Sequence, residues 1–272
     1  MGKILVGFDF STGSAYAVDL AIDIANKLKK DIRLVYVKKS KDEDEGPVRE
    51  EIERRNAGVA HLLNGIELQY VLREGKVSKE LCEQAKEDDA ELIIVGTHGM
   101  SGFEKNWIGR NTYRTIAESE VPVLTIREDF NFSKRLERIV VPLDSTADTR
   151  QKVPVAAKFA RMFGSELHIL GLYTTENASI RNIVDGYVRM VDTYLNKAEI
   201  KHVCKCVDVP KNLTVTTLDY ADEVDADMIV IMTEQESSLT SFILGNYAQQ
   251  MLTLSRRPIL TVRPEDVNSM SR

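Results

Sequence analysis

Three glycines at a fixed spacing are the residues of this chain best suited to hold a phosphate group. Gly96 and Gly99 enclose Thr97 and His98, and Gly109 follows after nine further residues. Glycine has no Cβ, so the backbone at these positions can approach a ligand closely. The spacing differs from that of a P-loop, because no Gly-x-x-x-x-Gly-Lys-Ser/Thr sequence occurs in the chain.

The elements on either side of these glycines must position them. Residues 92–95 form an apolar run that ends at Gly96, which predicts a buried strand. Residues 110–118 predict a helix that begins directly after Gly109. The N-terminus of a helix has unpaired N–H groups and the positive end of the helix dipole, and both favour an anion. A strand, a glycine loop and a helix in this order therefore predict a phosphate-binding loop.

Composition and charge narrow the class of protein. The chain has 272 residues, of which 43% are hydrophobic and 29% are charged, as in soluble globular proteins. Its formal net charge of −6 argues against a general nucleic-acid binder. No segment is typical of a signal peptide or a membrane span, and three cysteines do not make a disulfide scaffold. We expect a cytoplasmic protein with neither a nucleic-acid nor a membrane partner.

Strand and helix patterns alternate along the first half of the chain, which predicts a parallel sheet with helices on both faces. The predicted strands are residues 3–9, 32–37, 67–72, 92–95 and 122–127.

The second half repeats the first. Residues 258–263 read Pro-Ile-Leu-Thr-Val-Arg, and residues 122–127 read Pro-Val-Leu-Thr-Ile-Arg. Asp144 corresponds to Asp9, 135 residues earlier, and Gly245 corresponds to Gly109. A duplication of domain length predicts two domains, residues 1–128 and residues 136–265, joined by a short linker.

In these features the chain resembles the universal stress protein family, in its tandem two-domain form. The resemblance rests on Asp9 at the end of the first strand, on the spacing of Gly96, Gly99 and Gly109, and on the closing strand. It implies two doubly wound α/β domains, each with a five-stranded parallel sheet of order 3-2-1-4-5. It also implies an internal pseudo-dimer of the two domains, and it leaves a homodimer of chains open.

The resemblance further implies an adenine nucleotide, ATP or AMP, with or without Mg²⁺, at the point where the strand order reverses. Asp9 matches the acid that the family uses near adenine and ribose, Val37 matches an apolar residue near the base, and the three glycines match the phosphate loop. The predicted nucleotide-binding residues are Asp9, Phe10, Ser11, Val37, Gly96, Thr97, His98, Gly99, Gly109, Arg110, Asn111 and Thr112.

Five of these positions also have a structural alternative. Asp9 could cap the helix that follows it, and Val37 could be plain strand core. Gly96 and Gly99 could be ordinary turn glycines. His98 could touch phosphate, although a solvated loop histidine is the commoner case.

One departure from the family pattern lies in the first domain. The family usually has Ser or Thr directly after the third glycine, where its hydroxyl meets phosphate. Arg110 stands there in this chain, followed by Asn111 and Thr112. Backbone N–H groups remain at this position, and a guanidinium can itself pair strongly with phosphate.

The second domain departs further. The sequence Met-Thr-Glu-Gln at residues 232–235 replaces the Gly-x-x-Gly pattern, and Glu234 and Glu236 place negative charge where phosphate would lie. We therefore predict one nucleotide site, in the first domain, and a degenerate second domain.

His202, Cys204 and Cys206 are of types that bind metals, and their alternate spacing puts all three on one face of a strand. Zinc sites need about four ligands, however, and no second cysteine pair exists in the sequence. The alternative, buried or half-buried strand cysteines without a metal, is the interpretation that the sequence favours.

Three functions are compatible with the sequence. The first is a nucleotide-responsive binding or signalling module of the stress response, the second a slow ATPase, and the third an interaction protein with a decayed site. No Walker motif, nucleophile elbow or pair of metal-binding carboxylates occurs. The sequence favours the binding module, without catalytic residues and with weak ATPase activity at most.

Overall fold

The structure is a computed structural model that describes residues 2–38, 40–97, 108–127, 136–233, 235–238 and 241–264. It contains two compact units, residues 1–129 and residues 130–272.

Unit 1 alternates strands and helices. Its strands are β1 (Ile4–Gly7), β2 (Ile32–Lys38), β3 (Leu68–Glu74), β4 (Leu92–Gly96) and β5 (Val123–Ile126). Its helices are α1 (Thr12–Leu28), α2 (Glu45–Val59), α3 (Val77–Glu87) and α4 (Arg110–Glu118). The strands are parallel and lie in the order β3-β2-β1-β4-β5. The predicted doubly wound sheet of order 3-2-1-4-5 is confirmed.

Unit 2 repeats this topology. Its parallel strands are β6 (Arg138–Leu143), β7 (Glu166–Tyr173), β8 (His202–Asp208), β9 (Met228–Met232) and β12 (Ile259–Val262). Its helices are α5 (Val153–Phe163), α6 (Ala178–Lys197), α7 (Leu213–Glu223) and α8 (Asn246–Leu254). The sheet order β8-β7-β6-β9-β12 is again 3-2-1-4-5. An antiparallel hairpin, β10 (Gln235–Ser238) and β11 (Ser241–Leu244), follows β9.

The central strands are apolar along their whole length because helices cover both faces of a doubly wound sheet. Ile4, Leu5 and Val6 of β1 are fully buried, and every residue of β9 is buried. Among the described helices, none is long and apolar enough to cross a lipid bilayer.

One buried polar group in unit 2 makes stability depend on pH. His168 of β7 is 7% exposed, and its ring nitrogens lie 3.1 Å from the Tyr220 hydroxyl and 3.1 Å from Glu166 Oε1. Burial lowers the pKa of His168, although the Glu166 carboxylate acts in the opposite direction. The folded chain therefore holds this proton less tightly than the unfolded chain does.

We expect the free energy of unfolding to fall as the pH drops through about 6.5, where the unfolded histidine takes up its proton. The slope from this one group cannot exceed about 1.4 kcal/mol per pH unit. Urea titrations between pH 8 and pH 5 will show it, and His168→Gln should flatten the profile. His61 is exposed, so His61→Gln is the control variant and should leave the profile unchanged. An unchanged profile in the His168→Gln variant would contradict the assignment.

Candidate functional site

The candidate site lies at the carboxyl edge of the unit 1 sheet, between β1 and β4. β1 pairs with β2 on one side and with β4 on the other, so the strand order reverses here. In open α/β sheets the connections that leave such a pair diverge and leave a crevice. β2 continues three residues beyond Val35, the last partner of β1, which places the half-buried Val37 at this edge beside the β1–α1 turn.

Asp9 organises the turn between β1 and α1. Its Oδ1 accepts hydrogen bonds from the Ser11 backbone N–H (3.1 Å) and the Ser11 hydroxyl (2.5 Å). Ser11 caps α1 by accepting from the Ser14 N–H (3.2 Å), and the Ser14 hydroxyl accepts from the Asp9 N–H (3.4 Å). Oδ1 of Asp9 thus has a structural role in the turn that caps α1, while Oδ2 has no hydrogen-bond partner among the described residues.

Unit 2 contains the same turn. Asp144 Oδ1 accepts from the Thr146 N–H (2.8 Å) and the Thr146 hydroxyl (2.6 Å), and the Thr149 hydroxyl accepts from the Asp144 N–H (3.1 Å). The acid and its two hydroxyl partners are therefore a structural feature that both halves of the chain share. A function special to Asp9 must come from its second oxygen and from its neighbours.

Phe10 is one such neighbour, and its backbone is unusual. It has φ 65°, in the left-handed region, which costs a residue other than glycine roughly 1 kcal/mol or more. Its ring packs against those of Phe8 (centroids 5.0 Å apart) and Tyr36 (5.2 Å). Ser145, the equivalent residue of unit 2, has no positive φ. This aromatic group therefore distinguishes the unit 1 turn from its repeat.

Arg55 of α2 brings a positive charge to the same rings. Its guanidinium lies 5.6 Å from the centroid of Phe8 and 5.7 Å from that of Phe10, within the range of a cation–π contact. Nearby, the Tyr36 hydroxyl donates to Glu43 Oε1 (2.7 Å). Burial, reinforced by the Glu43 carboxylate, raises the pKa of Tyr36, so its phenol stays neutral.

Gly96 allows the end of β4 to approach the beginning of α1. A Cβ at this position would lie 2.8 Å from the Gly13 carbonyl carbon and 3.1 Å from Gly13 Cα. Both atoms belong to the backbone, so a side chain here would force main chain to move. The glycine is therefore required by packing at the edge of the site, independently of any ligand.

The base of the glycine loop is closed by hydrogen bonds. The Gly109 N–H donates to the Thr97 carbonyl (2.8 Å), and the Thr97 N–H donates to the Ile126 carbonyl (2.8 Å). The buried Thr112 hydroxyl donates to the Gly96 carbonyl (2.8 Å). These bonds bring Gly96, Thr97, Gly109 and Thr112 together, while His98 and Gly99 lie outside the described residues.

α4 begins at this closed base without a side-chain cap. Gly109 is its N-cap residue and makes no side-chain hydrogen bond, and Arg110 and Asn111 in the first turn are exposed. Among the described residues no side chain caps this turn, and a helix N-terminus without a side-chain cap is suited to bind anions. The exposed Arg110 guanidinium stands at the same end, although the Thr112 hydroxyl already donates to Gly96.

The corresponding segment of unit 2 forms a hairpin. Residues 235–238 and 241–244 form the β10–β11 hairpin, in which Gln235 pairs with Leu244. A paired hairpin directs its backbone N–H groups to its own carbonyls. The second unit thus departs from the glycine pattern in sequence and has a paired hairpin in this segment, and Glu234 lies outside the described residues.

Unit 2 has a separate polar cluster on its edge strand. His202, Cys204 and Cys206 of β8 are half-buried, and Asp192 of α6 contacts the first two of them. Burial raises the pKa of the Cys204 thiol to about 11, with a further contribution from Asp192. The sequence identified the three residues of the strand but missed the acid on the helix.

Three further residues shape the site in unit 1 and were not predicted from the sequence. Ser14 belongs to the Ser-x-x-Ser pattern that caps α1, and this pattern was a usable signal. Gly13 and Arg55 gave none, because their roles depend on the approach of β4 and on α2.

Comparison with known proteins agrees with the architecture of both units. The model of the universal stress protein family matches residues 1–127 and again residues 135–263. A universal stress protein of Archaeoglobus fulgidus has a similar structure, with a TM-score of 0.76, 19% identity, and coverage of 96% of this chain and 98% of that one. A functionally unknown protein of Pseudomonas aeruginosa has a TM-score of 0.72 and 17% identity, and the match covers 98% of this chain and 94% of that one.

A curated relative matches a single unit. The universal stress protein YxiE of Bacillus subtilis is 26% identical over an alignment of 145 positions that covers 46% of this chain and 98% of that protein. Two family matches in succession account for nearly the whole sequence. The chain therefore belongs to the universal stress protein family, and it carries two copies of the family's domain in tandem.

Proposed function

We propose that unit 1 binds one adenine nucleotide, ATP or AMP, and that the protein acts as a nucleotide-responsive binding or signalling module in the stress response. The observation that carries this proposal is the closed loop base. It holds Gly96, Thr97 and Gly109 beside the uncapped N-terminus of α4, at the reversal point of the sheet. Phosphates would lie against this helix end, and the base and ribose near Asp9 and Val37.

Arg110 supports an anionic ligand. It is exposed at the start of α4, whereas Arg55, over the aromatic rings beside Asp9, is already paired with Glu51 Oε1 at 2.7 Å. A guanidinium makes paired hydrogen bonds to phosphate, so Arg110 can replace the hydroxyl that the family usually has after the third glycine. The proposed preference for adenine over other bases rests on membership of the family.

We also propose that the protein is cytoplasmic, that its two units pair as a pseudo-dimer and that ATP binds together with Mg²⁺. Unit 2 is proposed not to bind nucleotide, because its hairpin occupies the place of the glycine loop.

Mass spectrometry of small molecules released on denaturing the purified chain will test the proposal, together with thermal unfolding in added ATP, AMP and Mg²⁺. We expect one ATP or AMP per chain. A ligand specific for the folded state, at a hundred times its Kd, should stabilise the protein by about 2.7 kcal/mol. An empty protein without a thermal shift at millimolar nucleotide would contradict nucleotide binding and favour an interaction protein.

The same preparation separates a binding module from a slow ATPase. If unit 1 is a binding module, phosphate release from ATP by the parent protein should not exceed that by an Arg110→Ala variant. Turnover that depends on Arg110 would instead favour the ATPase.

A further inference from the structure

The cluster on the outer strand of unit 2 combines three kinds of metal ligand. Asp192 on α6 and His202 and Cys204 on β8 each place a ligand atom within 4.8 Å of the other two. His202 and Cys204 share one face of β8 because side chains alternate along a strand, and that face packs against α6. We propose that Asp192, His202 and Cys204 form a binding site for a divalent transition-metal ion of the Zn²⁺ class.

The orientation of His202 suits a metal. Its Nδ1 lies 2.7 Å from the carbonyl oxygen of Ile200. A backbone carbonyl can only accept, so Nδ1 carries a hydrogen and Nε2 is the nitrogen that faces the cluster. Metal-binding histidines characteristically donate their other ring N–H to a carbonyl or a carboxylate, which fixes the tautomer and the ring. Ile200 supplies that outer partner here.

Metal binding exchanges hydrogens of the cluster for bonds to the ion. Nε2 lies 3.0 Å from Asp192 Oδ1, and Cys204 Sγ lies 3.8 Å from the same oxygen. A cysteine binds a metal as the thiolate, and an imidazole binds through a nitrogen that carries no hydrogen. A divalent cation therefore displaces the thiol proton and any proton on Nε2, and these protons pass to solvent. New bonds form to Nε2, to the thiolate sulfur and to the carboxylate oxygen.

Two of the three separations between ligand atoms lie near the values of a tetrahedral site. Bond lengths of about 2.0–2.1 Å to nitrogen and oxygen and about 2.3 Å to sulfur put neighbouring ligand atoms about 3.3–3.6 Å apart. The contacts of 3.0 Å and 3.8 Å to Asp192 Oδ1 bracket that range, and Nε2 and Sγ lie within 4.8 Å of each other. Side-chain rotation must adjust these separations to close the site around an ion.

The donor set selects the class of ion. A thiolate and an imidazole favour Zn²⁺ and its neighbours, whereas Mg²⁺ and Ca²⁺ require oxygen ligands. The side chain of His202 is 8% exposed and that of Asp192 is 49% exposed. The carboxylate side of the site is thus open to water, which would complete a coordination of three protein ligands and one solvent molecule.

A matched control lies two residues along the same strand. Cys206 Sγ lies 3.8 Å from Asp185 Oδ1, and the Tyr173 hydroxyl donates to that carboxylate. This second thiol–carboxylate pair has the same strand, helix and exposure class as the first. It has a phenol where the proposed site has an imidazole.

Titration of the full-length, reduced protein with Co²⁺ will test the site, since Co²⁺ bound to thiolate gives a charge-transfer band in the near ultraviolet. We expect one Co²⁺ per chain, displaced by Zn²⁺, and no band in Cys204→Ser. Competition with a chromogenic chelator should show Zn²⁺ affinity lowered by more than about tenfold in His202→Gln and Asp192→Asn. Cys206→Ser should bind as the parent does.

Two results would overturn the proposal. The first is a parent protein without a thiolate–cobalt band at equimolar Co²⁺, which would leave the cluster as a set of hydrogen bonds. The second is an equal loss in Cys206→Ser and Cys204→Ser, which would place the ion elsewhere. Circular dichroism of each variant will verify its fold.

Discussion

Replacing Gly96 with alanine should destabilise unit 1 by about 1–3 kcal/mol, the usual cost of forcing an extra carbon into a packed site. The added Cβ would lie 2.8 Å from the Gly13 carbonyl carbon, and backbone cannot move aside as a flexible side chain can. The end of β4 or the first turn of α1 must shift instead. Gly96 also accepts the Thr112 hydrogen bond, so the loop base should loosen and nucleotide affinity should fall with stability.

Denaturant unfolding of Gly96→Ala will measure the loss, and a second glycine supplies the matched control. Gly186 lies inside α6, where a Cβ would meet no heavy atom within 4 Å. Alanine in an open helical position stabilises a helix by up to about 1 kcal/mol. The two Gly→Ala variants should therefore shift stability in opposite directions. A neutral or stabilising Gly96→Ala would show that the close approach of β4 to α1 is not required.

The architecture of both units was predictable because it depends on local patterns. Apolar runs bounded by glycine, proline or acid mark buried strands, and their alternation with helices allows few topologies. The position of Asp9 and the glycines beside the first and fourth strands came instead from the resemblance to the family. The repeat at 135–136 residues then transferred the fold to the second half.

Contacts between distant elements were not predictable in this way. The left-handed backbone of Phe10 is disfavoured for a bulky residue, and the surrounding Tyr36 and Arg55 come from β2 and α2. The contact of Cys204 with Asp192 was likewise not predicted, because nothing in the sequence relates α6 to β8. Strain and mixed ligand sets arise from tertiary packing.

The duplication also separates the structural role of Asp9 from its proposed role in binding. Asp9 and Asp144 accept the same pair of hydrogen bonds through Oδ1, from a serine in one unit and a threonine in the other. Asparagine keeps that acceptor and removes the negative charge. Asp9→Asn and Asp144→Asn should therefore change stability by similar small amounts.

Their effects on nucleotide binding should differ. The second oxygen of Asp9 is the group available to a ribose hydroxyl or to the amino group of adenine, and a hydrogen bond to a charged acceptor contributes about 1.5–3 kcal/mol. We expect Asp9→Asn to weaken ATP or AMP binding by about 10- to 100-fold, measured by isothermal titration calorimetry. Asp144→Asn should leave the affinity unchanged, because the β10–β11 hairpin replaces the glycine loop in its unit. Equal losses of affinity in the two variants would place nucleotide in both units. Unchanged affinity in both variants would show that Asp9 has only its structural role in the turn.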